Sequence, residues 1–290
     1  MCRLWSLHKG GLLMQWSVFP PSYRISSSNS EMKSTLRVVK TWFVAVAFVV
    51  LIIVFWYCSF LFSSLSCRRC VVVGNGHSLK NSSLGSVINQ YDVVIRLNNA
   101  PTRGYEEDVG NKTTMRFFYP ESASHNPGTH NQPDTLMVLV PFKHPDLLWL
   151  KWILYNEKRV KHGFWRPPPL IWMGKTSQLR VLDPFFMYMT ASRLLNIPTS
   201  VDPSIKKVVN YVHPTTGILA VYVALNYCNV VHLAGFGYPR ADEREQLIHY
   251  YGDDTMMSMM ASIHNISKEA QALKSLEDSG AILHLRPLSG

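Results

Sequence analysis

Residues 70–120 constrain the fold of this chain more than any other segment. An apolar run at 70–74 leads into Asn75, and a second run at 92–97 leads into Asn98. Two strand-like runs that each end in an asparagine, 23 residues apart, are typical of one β-turn-helix-β unit. In open α/β sheets, ligands bind at the carboxyl ends of the strands, where glycines let the backbone approach a phosphate or a sugar. The segment therefore predicts a nucleotide-binding crevice.

Strand-like and helix-like segments alternate after residue 70. This alternation predicts an α/β fold with a mostly parallel sheet and helices on both faces. Strands are expected at 70–74, 92–97, 115–119, 135–140, 169–173, 230–235 and 281–285. Helices are expected at 84–90, 145–158, 184–196, 217–227 and 267–279. The last helix is expected to begin at the N-cap Ser267 and to end at Gly280, and residues 167–169 and 197–214 are expected to be loops.

A long apolar segment precedes this domain. Residues 41–62 contain no charged side chain, and 22 residues suffice to cross a bilayer core of about 30 Å as a helix; a buried core helix is the alternative. Residues 1–40 carry six Lys or Arg against Glu31, so positive-inside logic keeps them cytosolic. We expect a cytoplasmic tail at 1–40, a transmembrane signal anchor at 41–62 and a lumenal domain at 63–290.

Charge and cysteine usage narrow the class of protein further. The net charge of +10 includes no basic stripe interleaved with aromatic residues, so a nucleic-acid partner is not expected.

Cys67 and Cys70 form a Cys-x-x-Cys pair, but a second ligand pair for zinc is missing, and Cys70 opens a strand rather than the helix of a redox motif. In a lumenal domain we expect a structural disulfide, Cys70–Cys228, between sheet neighbours. Sequons at Asn81, Asn111 and Asn265 agree with the secretory pathway.

The glycine-rich turn at 74–79 begins like a dinucleotide fingerprint. It fails at the sixth position, where Leu79 replaces Gly or Ala, and the second strand ends in Asn98 rather than an acid. A nicotinamide or flavin enzyme is therefore a poor fit. The alternative to a ligand site is that the glycines only make a tight turn.

Two further constellations contain side chains that can do chemistry. Thr215, Thr216 and Gly217 precede an apolar helix, whose N-terminus could be capped by the hydroxyls or could attract an anion. His249 and His264 lie in polar segments near helix starts, where an imidazole can act as a base or donate to a phosphate, or can simply be solvated. No Asp-x-Asp occurs in the chain, so the usual carboxylate clamp for a metal-bound sugar nucleotide is missing.

Together these segments resemble the animal sialyltransferases. Residues 70–120 are similar to the large sialyl motif of that family and residues 213–238 to its small motif. The segment 249–251, His-Tyr-Tyr, matches the third motif, and His264 with Glu269 matches the very small one. The four motifs occur in the family order over about 220 residues, and their details are closest to the beta-galactoside alpha-2,3-sialyltransferases.

The resemblance implies a Rossmann-like variant of the GT-A fold in a single-pass type II protein of the Golgi membrane. It implies transfer of sialic acid from CMP-N-acetylneuraminate to the 3-hydroxyl of a terminal galactose, with inversion and without a metal or another cofactor. The implied partners are this donor, galactose-terminated glycoprotein and glycolipid acceptors and the Golgi membrane, with a homo-oligomer left open. Galβ1,4GlcNAc, Galβ1,3GlcNAc and Galβ1,3GalNAc all stay open as acceptors.

The resemblance also implies roles for particular residues. Asn75 and Asn98 would hold the CMP moiety, and Thr215, Thr216 and Gly217 would contact the nucleotide. His249 would stabilise the departing phosphate, and His264 would be the base. The resemblance also implies a disulfide between Cys70 and Cys228.

The chain departs from the family pattern next to the apolar segment. Only residues 63–66 separate it from Cys67, where the family has a stem of several dozen residues. A truncated form that is weakly active or inactive, and that binds glycans or associates with the full-length enzyme, is therefore the alternative to an active transferase.

Overall fold

The computed structural model describes residues 42–53, 67–157, 162–197, 213–240, 242–260 and 264–286. The chain divides into two compact units, Met1–Ser66 and Cys67–Gly290. In the first unit, residues 42–53 form a helix with exposed side chains. No helix within the described ranges is both long enough and apolar enough to cross a membrane. The predicted tail at 1–40 and the remainder of the predicted anchor, 41 and 54–62, lie outside the described residues.

The second unit is built on a parallel sheet of seven strands within the described residues. The strands are β1 Cys67–Val73, β2 Val93–Leu97, β3 Met115–Phe118, β4 Leu136–Leu139, β5 Leu179–Val181, β6 Cys228–Ala234 and β7 Leu283–His284. Their order across the sheet is β5-β4-β3-β2-β1-β6-β7, and every strand pair is parallel. The chain thus builds outward from β1 to β5 and then crosses to the other side of β1. The topological switch point lies between β1 and β6, where α/β sheets bind their ligands.

Helices connect the strands. They are α1 Gly85–Asn89, α2 Glu106–Val109, α3 His144–Tyr155, α4 Pro184–Met189, α5 Thr216–Tyr227, α6 Met256–Met260 and α7 Ile266–Asp278. Short 3-10 turns at His77–Leu79, Pro120–Ser122, Pro127–His130 and Thr176–Gln178 and a π-helical turn at Thr190–Leu194 complete the elements.

The centre of the sheet is buried on both faces, as continuous apolar strands require. Val71 and Val94 pack with Ile88 of α1 in one cluster of buried residues. On the opposite face, Leu97 lies against Gly217 of α5. The predicted α/β fold with a mostly parallel sheet is therefore confirmed.

A disulfide joins the two strands at the switch point. Cys70 of β1 is bonded to Cys228 of β6 across 158 residues of sequence, with the two Cα atoms 6.0 Å apart. The predicted pairing is confirmed. It links the neighbours whose carboxyl ends form the crevice.

The predicted fifth strand is wrong. Residues 169–173 form an irregular segment instead, and the strand at this edge is Leu179–Val181. The segment is held by side chains, since Trp149 donates from Nε1 to the carbonyl of Pro169 at 2.9 Å and the Trp172 ring stacks on Phe118. The three prolines at 167–169 have no N–H with which to extend a ladder.

Two helix boundaries also differ from the expectation. The cap of α7 is Asn265, whose side chain accepts from the Lys268 N–H at 3.0 Å, and not Ser267. The predicted end at Gly280 is confirmed as a stop, since this glycine has φ +73° just beyond the helix. The predicted helix at 184–196 is α4 followed by the π-helical turn. Most of the predicted loop at 197–214 lies outside the described residues.

Candidate active site

The glycines after β1 are needed for a close backbone contact. Gly74 and Gly76 donate from their N–H groups to the carbonyls of Ala234 and Gly235 at 2.8 and 2.9 Å. A Cβ at either glycine would lie within 2.6 Å of the Gly235 carbonyl oxygen. These glycines therefore allow the carboxyl ends of β1 and β6 to pack closely. Asn75 lies between the two glycines.

Asn75 and Asn98, at the carboxyl ends of β1 and β2, each have a buried amide oxygen. Asn75 donates from Nδ2 to the Tyr251 hydroxyl at 3.2 Å. Among the described residues, the Oδ1 atoms of both asparagines are buried and have no hydrogen-bond partner. Buried acceptors are normally satisfied, so two of them at the carboxyl edge of the sheet make that edge a candidate site for a ligand that supplies donors.

The segment 248–251 lies along the end of β1. His77 donates from its N–H to the carbonyl of Ile248, and Tyr250 donates from its N–H to the carbonyl of Asn75, both at 3.0 Å. The Tyr250 hydroxyl donates to the Pro101 carbonyl at 2.6 Å, so this tyrosine joins the crevice to the turn after β2. Sequence analysis assigned no role to either tyrosine, although their repeat beside His249 was visible.

His249 is held by stacking in this segment. Its ring lies nearly parallel to that of Tyr251, with centroids 5.3 Å apart. Asp254 Oδ2 lies 3.7 Å from His249 Nδ1, beyond hydrogen-bond range. Burial lowers the pKa of the His249 imidazole, and Asp254 opposes that shift. A negative charge arriving at the ring would raise this pKa.

His264 has a defined tautomer. Its Nδ1 lies 2.7 Å from the carbonyl oxygen of His213, which can only accept, so Nδ1 carries the proton. Nε2 is therefore the unprotonated nitrogen in the neutral ring. Burial lowers the pKa of His264, although the bond to His213 opposes the shift. A neutral imidazole at pH 7 can act as a base.

Thr215 caps α5 and contacts Glu269. Its hydroxyl accepts from the Ile218 N–H at 3.2 Å and donates to Glu269 Oε2 at 2.6 Å. Its own N–H donates to Glu269 Oε1 at 2.8 Å. The capping role that sequence analysis allowed is therefore confirmed for Thr215. Thr216, which is buried, and Gly217, which is half-buried, begin α5 directly after it.

Phe236 connects these two groups of residues. A Cβ at Gly74 or at Gly217 would meet its ring at 3.2 and 3.3 Å. The structure thus brings the ends of β1, β2 and β6 and the start of α5 around one crevice. Within the described part of the chain, no group of three or more His, Cys, Asp or Glu side chains is placed to hold a metal ion.

Glu269 is the buried carboxyl of the site. Burial raises its pKa from the ordinary 4.5 to about 7, although the two bonds from Thr215 oppose the shift. The sequence places this glutamate in a motif with His264 but assigns it no function. The contacts show that it ties the start of α7 to the start of α5, so it fixes His264 relative to the crevice.

Replacing Glu269 with glutamine is expected to change how stability depends on pH. The folded pKa exceeds the unfolded one, so the folded chain binds the extra proton between pH 4.5 and 7. The stability contributed by this proton is present below about pH 4.5 and is lost as pH rises through about 7. In urea titrations, the unfolding free energy of the wild type relative to Glu269→Gln should fall by about 3 kcal/mol from pH 4.5 to 8. Equal pH dependence in both proteins would contradict the prediction.

A cluster of charged side chains lies at the start of α3. Lys143, the N-cap of α3, places Nζ 2.8 Å from Glu121 Oε1 and 2.7 Å from Asp146 Oδ1. Both carboxylate side chains are fully buried. The ammonium also lies 4.9 Å from the centre of the Phe164 ring. Lys143 therefore connects the turn after β3, the helix α3 and the segment after it.

Comparison with known proteins agrees with this arrangement. The family model described as glycosyltransferase family 29 (sialyltransferase) matches residues 26–281. The chain is 57% identical over 222 residues to the rat and human proteins named CMP-N-acetylneuraminate-beta-galactosamide-alpha-2,3-sialyltransferase 4. This match covers 77% of the chain and 65% of the length of each relative. The human type 2 lactosamine alpha-2,3-sialyltransferase is 44% identical over 225 residues, which are 77% of this chain and 66% of that protein.

A solved structure matches the fold. It is the crystal structure of a mammalian sialyltransferase in complex with Gal-beta-1-3GalNAc-ortho-nitrophenol, with a TM-score of 0.61 and 31% sequence identity. The match covers 77% of this chain and 70% of that one. The chain thus spans about two thirds of the length of the relatives that it resembles.

Proposed function

The chain belongs to glycosyltransferase family 29, the sialyltransferases, and on that premise we propose that it transfers sialic acid from CMP-N-acetylneuraminate to the 3-hydroxyl of a terminal galactose. The orientation of His264 is the observation that carries the proposal. Its Nδ1–H is held by the His213 carbonyl, which leaves Nε2 as the base. Its lowered pKa keeps the ring neutral and ready to take a proton.

The reaction follows from this placement. His264 Nε2 takes the proton of the galactose 3-hydroxyl, and that oxygen forms a bond to the anomeric carbon of sialic acid. The bond from this carbon to the CMP phosphate breaks, and its electron pair leaves on the phosphate oxygen. Attack from the face opposite the leaving group inverts the anomeric centre. Orientation of two substrates and one general base is the chemistry required, because CMP is already a competent leaving group.

The donor site is proposed at the switch point between β1 and β6. The unpartnered Oδ1 atoms of Asn75 and Asn98 fit a ligand with hydroxyl and amino donors, as cytidine has. Thr216 and Gly217 would meet the phosphate with the N-terminus of α5. The Thr215 hydroxyl is bonded to Glu269 and Ile218, so we propose that Thr215 acts mainly by holding this helix start.

His249 is proposed to stabilise the departing phosphate. Its pKa is lowered in the free protein, and the negative charge on the leaving phosphate would favour its protonated form. Asp254, 3.7 Å from Nδ1, would support that charge. We propose that no metal takes part, with this imidazole and the α5 N-terminus meeting the phosphate charge instead.

Transfer of radiolabelled sialic acid tests the function directly. The chain would be expressed in sialylation-deficient cells and assayed with Galβ1,4GlcNAc, Galβ1,3GlcNAc and Galβ1,3GalNAc acceptors, with and without EDTA. We expect a product that an alpha-2,3-specific sialidase cleaves, at a rate that EDTA does not change. Absence of product from folded protein would contradict the proposal and favour an inactive form of the family.

We also propose a location for the chain. Residues 41–62 are uncharged and follow a basic segment, which supports a type II anchor in the Golgi membrane with the second unit in the lumen. The disulfide Cys70–Cys228 suits an oxidising compartment.

The sequons provide a test of the lumenal location. Asn81 and Asn111 are exposed, whereas the side chain of Asn265 caps α7 next to His264. We expect glycans on Asn81 and Asn111 and none on Asn265. On gels, Asn81→Gln and Asn111→Gln should each remove one glycan, and Asn265→Gln should remove none. Insensitivity of the wild-type chain to an N-glycanase would contradict the lumenal location.

A further inference from the structure

Arg116 of β3 is a buried cation with only neutral hydrogen-bond partners among the described residues. Its side chain is almost fully buried, and burial lowers its pKa to about 10, so it stays charged at neutral pH. Nη1 donates to the carbonyls of Asn98 and Ala100, both at 2.9 Å. Nη2 donates to the carbonyl of His130 at 3.1 Å, and Nε donates to Asn131 Oδ1 at 2.7 Å. One guanidinium therefore holds the turn after β2 against the turn that ends at His130.

Asn98 is the residue at which the chain turns out of β2. Its φ is +53°, in the left-handed region that asparagine adopts more readily than most other non-glycine residues. Its N–H donates to the Phe117 carbonyl at 2.7 Å, which continues the β2–β3 ladder. The amide then projects with its Oδ1 buried and without a partner in the described residues. Beyond this ladder bond, the Asn98 and Ala100 carbonyls are both held by Arg116 Nη1.

We infer that Arg116 is a positioning residue for the donor nucleotide, acting through the backbone of Asn98. This inference rests on the proposed function, in which Asn98 binds CMP. Arg116 sets the position of the Asn98 amide because it bonds the carbonyls on either side of Asn99. Without the hydrogen bonds of the Arg116 guanidinium, the Asn98 amide would be able to move out of the crevice.

Arg96 offers a matched control. It pairs in register with Arg116 on the neighbouring strand and is equally buried. Its guanidinium also bonds backbone carbonyls, but those of Val109, Gly110 and Lys112. These carbonyls lie at the end of α2 and in the turn that follows it, and not in the turn after β2. A purely structural effect of losing a buried arginine should therefore be the same at both positions.

Lysine is the informative replacement. Lysine keeps the charge but has a single side-chain nitrogen. It cannot reproduce the planar guanidinium, which bonds three backbone carbonyls and one side-chain amide at once. In Arg116→Lys we expect the Kd of CMP, measured by calorimetry, to rise about 10-fold, as loss of one hydrogen bond to the ligand would produce. Arg96→Lys should lower the melting temperature to a similar extent and change the Kd less than about twofold.

A double-mutant cycle with Asn98→Ala shows whether Arg116 acts through Asn98. In the Asn98→Ala protein, adding Arg116→Lys should leave the Kd of CMP unchanged. In transfer assays, Arg116→Lys should raise the KM for the donor and leave kcat nearly unaltered. If Arg116→Lys does not fold, Asn131→Ala, which removes the partner of Nε, should raise the Kd about threefold.

The outcomes separate the two proposals. The inference is overturned if Arg116→Lys binds CMP as tightly as the wild type, if Arg96→Lys loses as much CMP affinity as Arg116→Lys, or if Arg116→Lys still raises the Kd of CMP about 10-fold in the Asn98→Ala protein. In each of these cases, CMP binding by the wild type still supports the proposed function. If Asn131→Ala is the variant measured, wild-type affinity in it overturns the inference. A wild-type chain that binds no CMP would overturn both.

Discussion

Replacing His264 with alanine is expected to lower kcat for sialic acid transfer by about 10²–10⁴-fold, the contribution typical of one positioned general base. The His213 carbonyl fixes the proton on Nδ1, so only Nε2 can accept the proton of the acceptor hydroxyl. Alanine removes that acceptor and leaves the donor site intact. The Kd of CMP should therefore change less than about twofold, while single-turnover transfer slows by the full factor.

The pH profile provides an independent measurement of the same role. Because the base must be neutral and its pKa is lowered by burial, kcat should rise with pH through that pKa, and this rising limb should be absent from the His264→Ala protein. His284→Ala is the control, since His284 lies on β7 near Glu277 and not in the crevice. It should keep wild-type kcat. Normal turnover in the His264→Ala protein would show that another group takes the proton.

Replacing Lys143 with methionine is expected to lower the free energy of unfolding by about 3 kcal/mol. The variant would leave Glu121 and Asp146 as two buried carboxylates without the ammonium that contacts both of them. Breaking a buried ion pair from one side leaves an uncompensated charge, which costs more than the pair itself contributes. The lysine is one third exposed, which places the expected effect at the lower end of that range. Urea unfolding of wild type and variant gives the difference.

Lys151→Met is the matched control on the same helix. Lys151 pairs with Glu157 at 3.3 Å, with both side chains exposed, and such pairs contribute little. This variant should differ from the wild type by less than about 0.5 kcal/mol. Adding Glu121→Gln to Lys143→Met should recover part of the lost stability, because one buried charge is then removed. Equal losses in Lys143→Met and Lys151→Met would refute the explanation.

Local patterns in the chain predict the parallel sheet well. Runs such as Val71–Val73 are apolar on both faces and end on glycine, and this is a property of neighbouring residues alone. The prediction of a strand at 169–173 was wrong for the opposite reason, because this segment is held by Trp149 and Phe118 from distant parts of the chain. The predicted N-cap of α7 was wrong because Asn265 and Ser267 are both good N-cap residues, and only the backbone geometry selects Asn265.

In the candidate site, too, local features are predicted from the sequence and long-range contacts are not. Asn75, Asn98 and the two histidines stand out in the sequence because each follows a strand or precedes a helix. The contacts that position them join residues more than 15 positions apart, as in Arg116 with Asn98 and Thr215 with Glu269. Local periodicity carries no information on such pairs. A charged residue inside the apolar strand Met115–Phe118 was the available signal for Arg116, since an isolated arginine there must find internal acceptors.

The pairing of β1 with β6 also has a consequence for how the chain is made. Strands β1 to β5 come from residues 67–181, so they can pair while the ribosome is still translating, at about 5–20 residues per second. The strand that completes the crevice begins at Cys228, and α7 follows it. During that interval Cys70 cannot yet bond to Cys228, and the β6 side of β1 has no neighbouring strand. Nascent chains should therefore form the pairs from β1 to β5 before the crevice is complete.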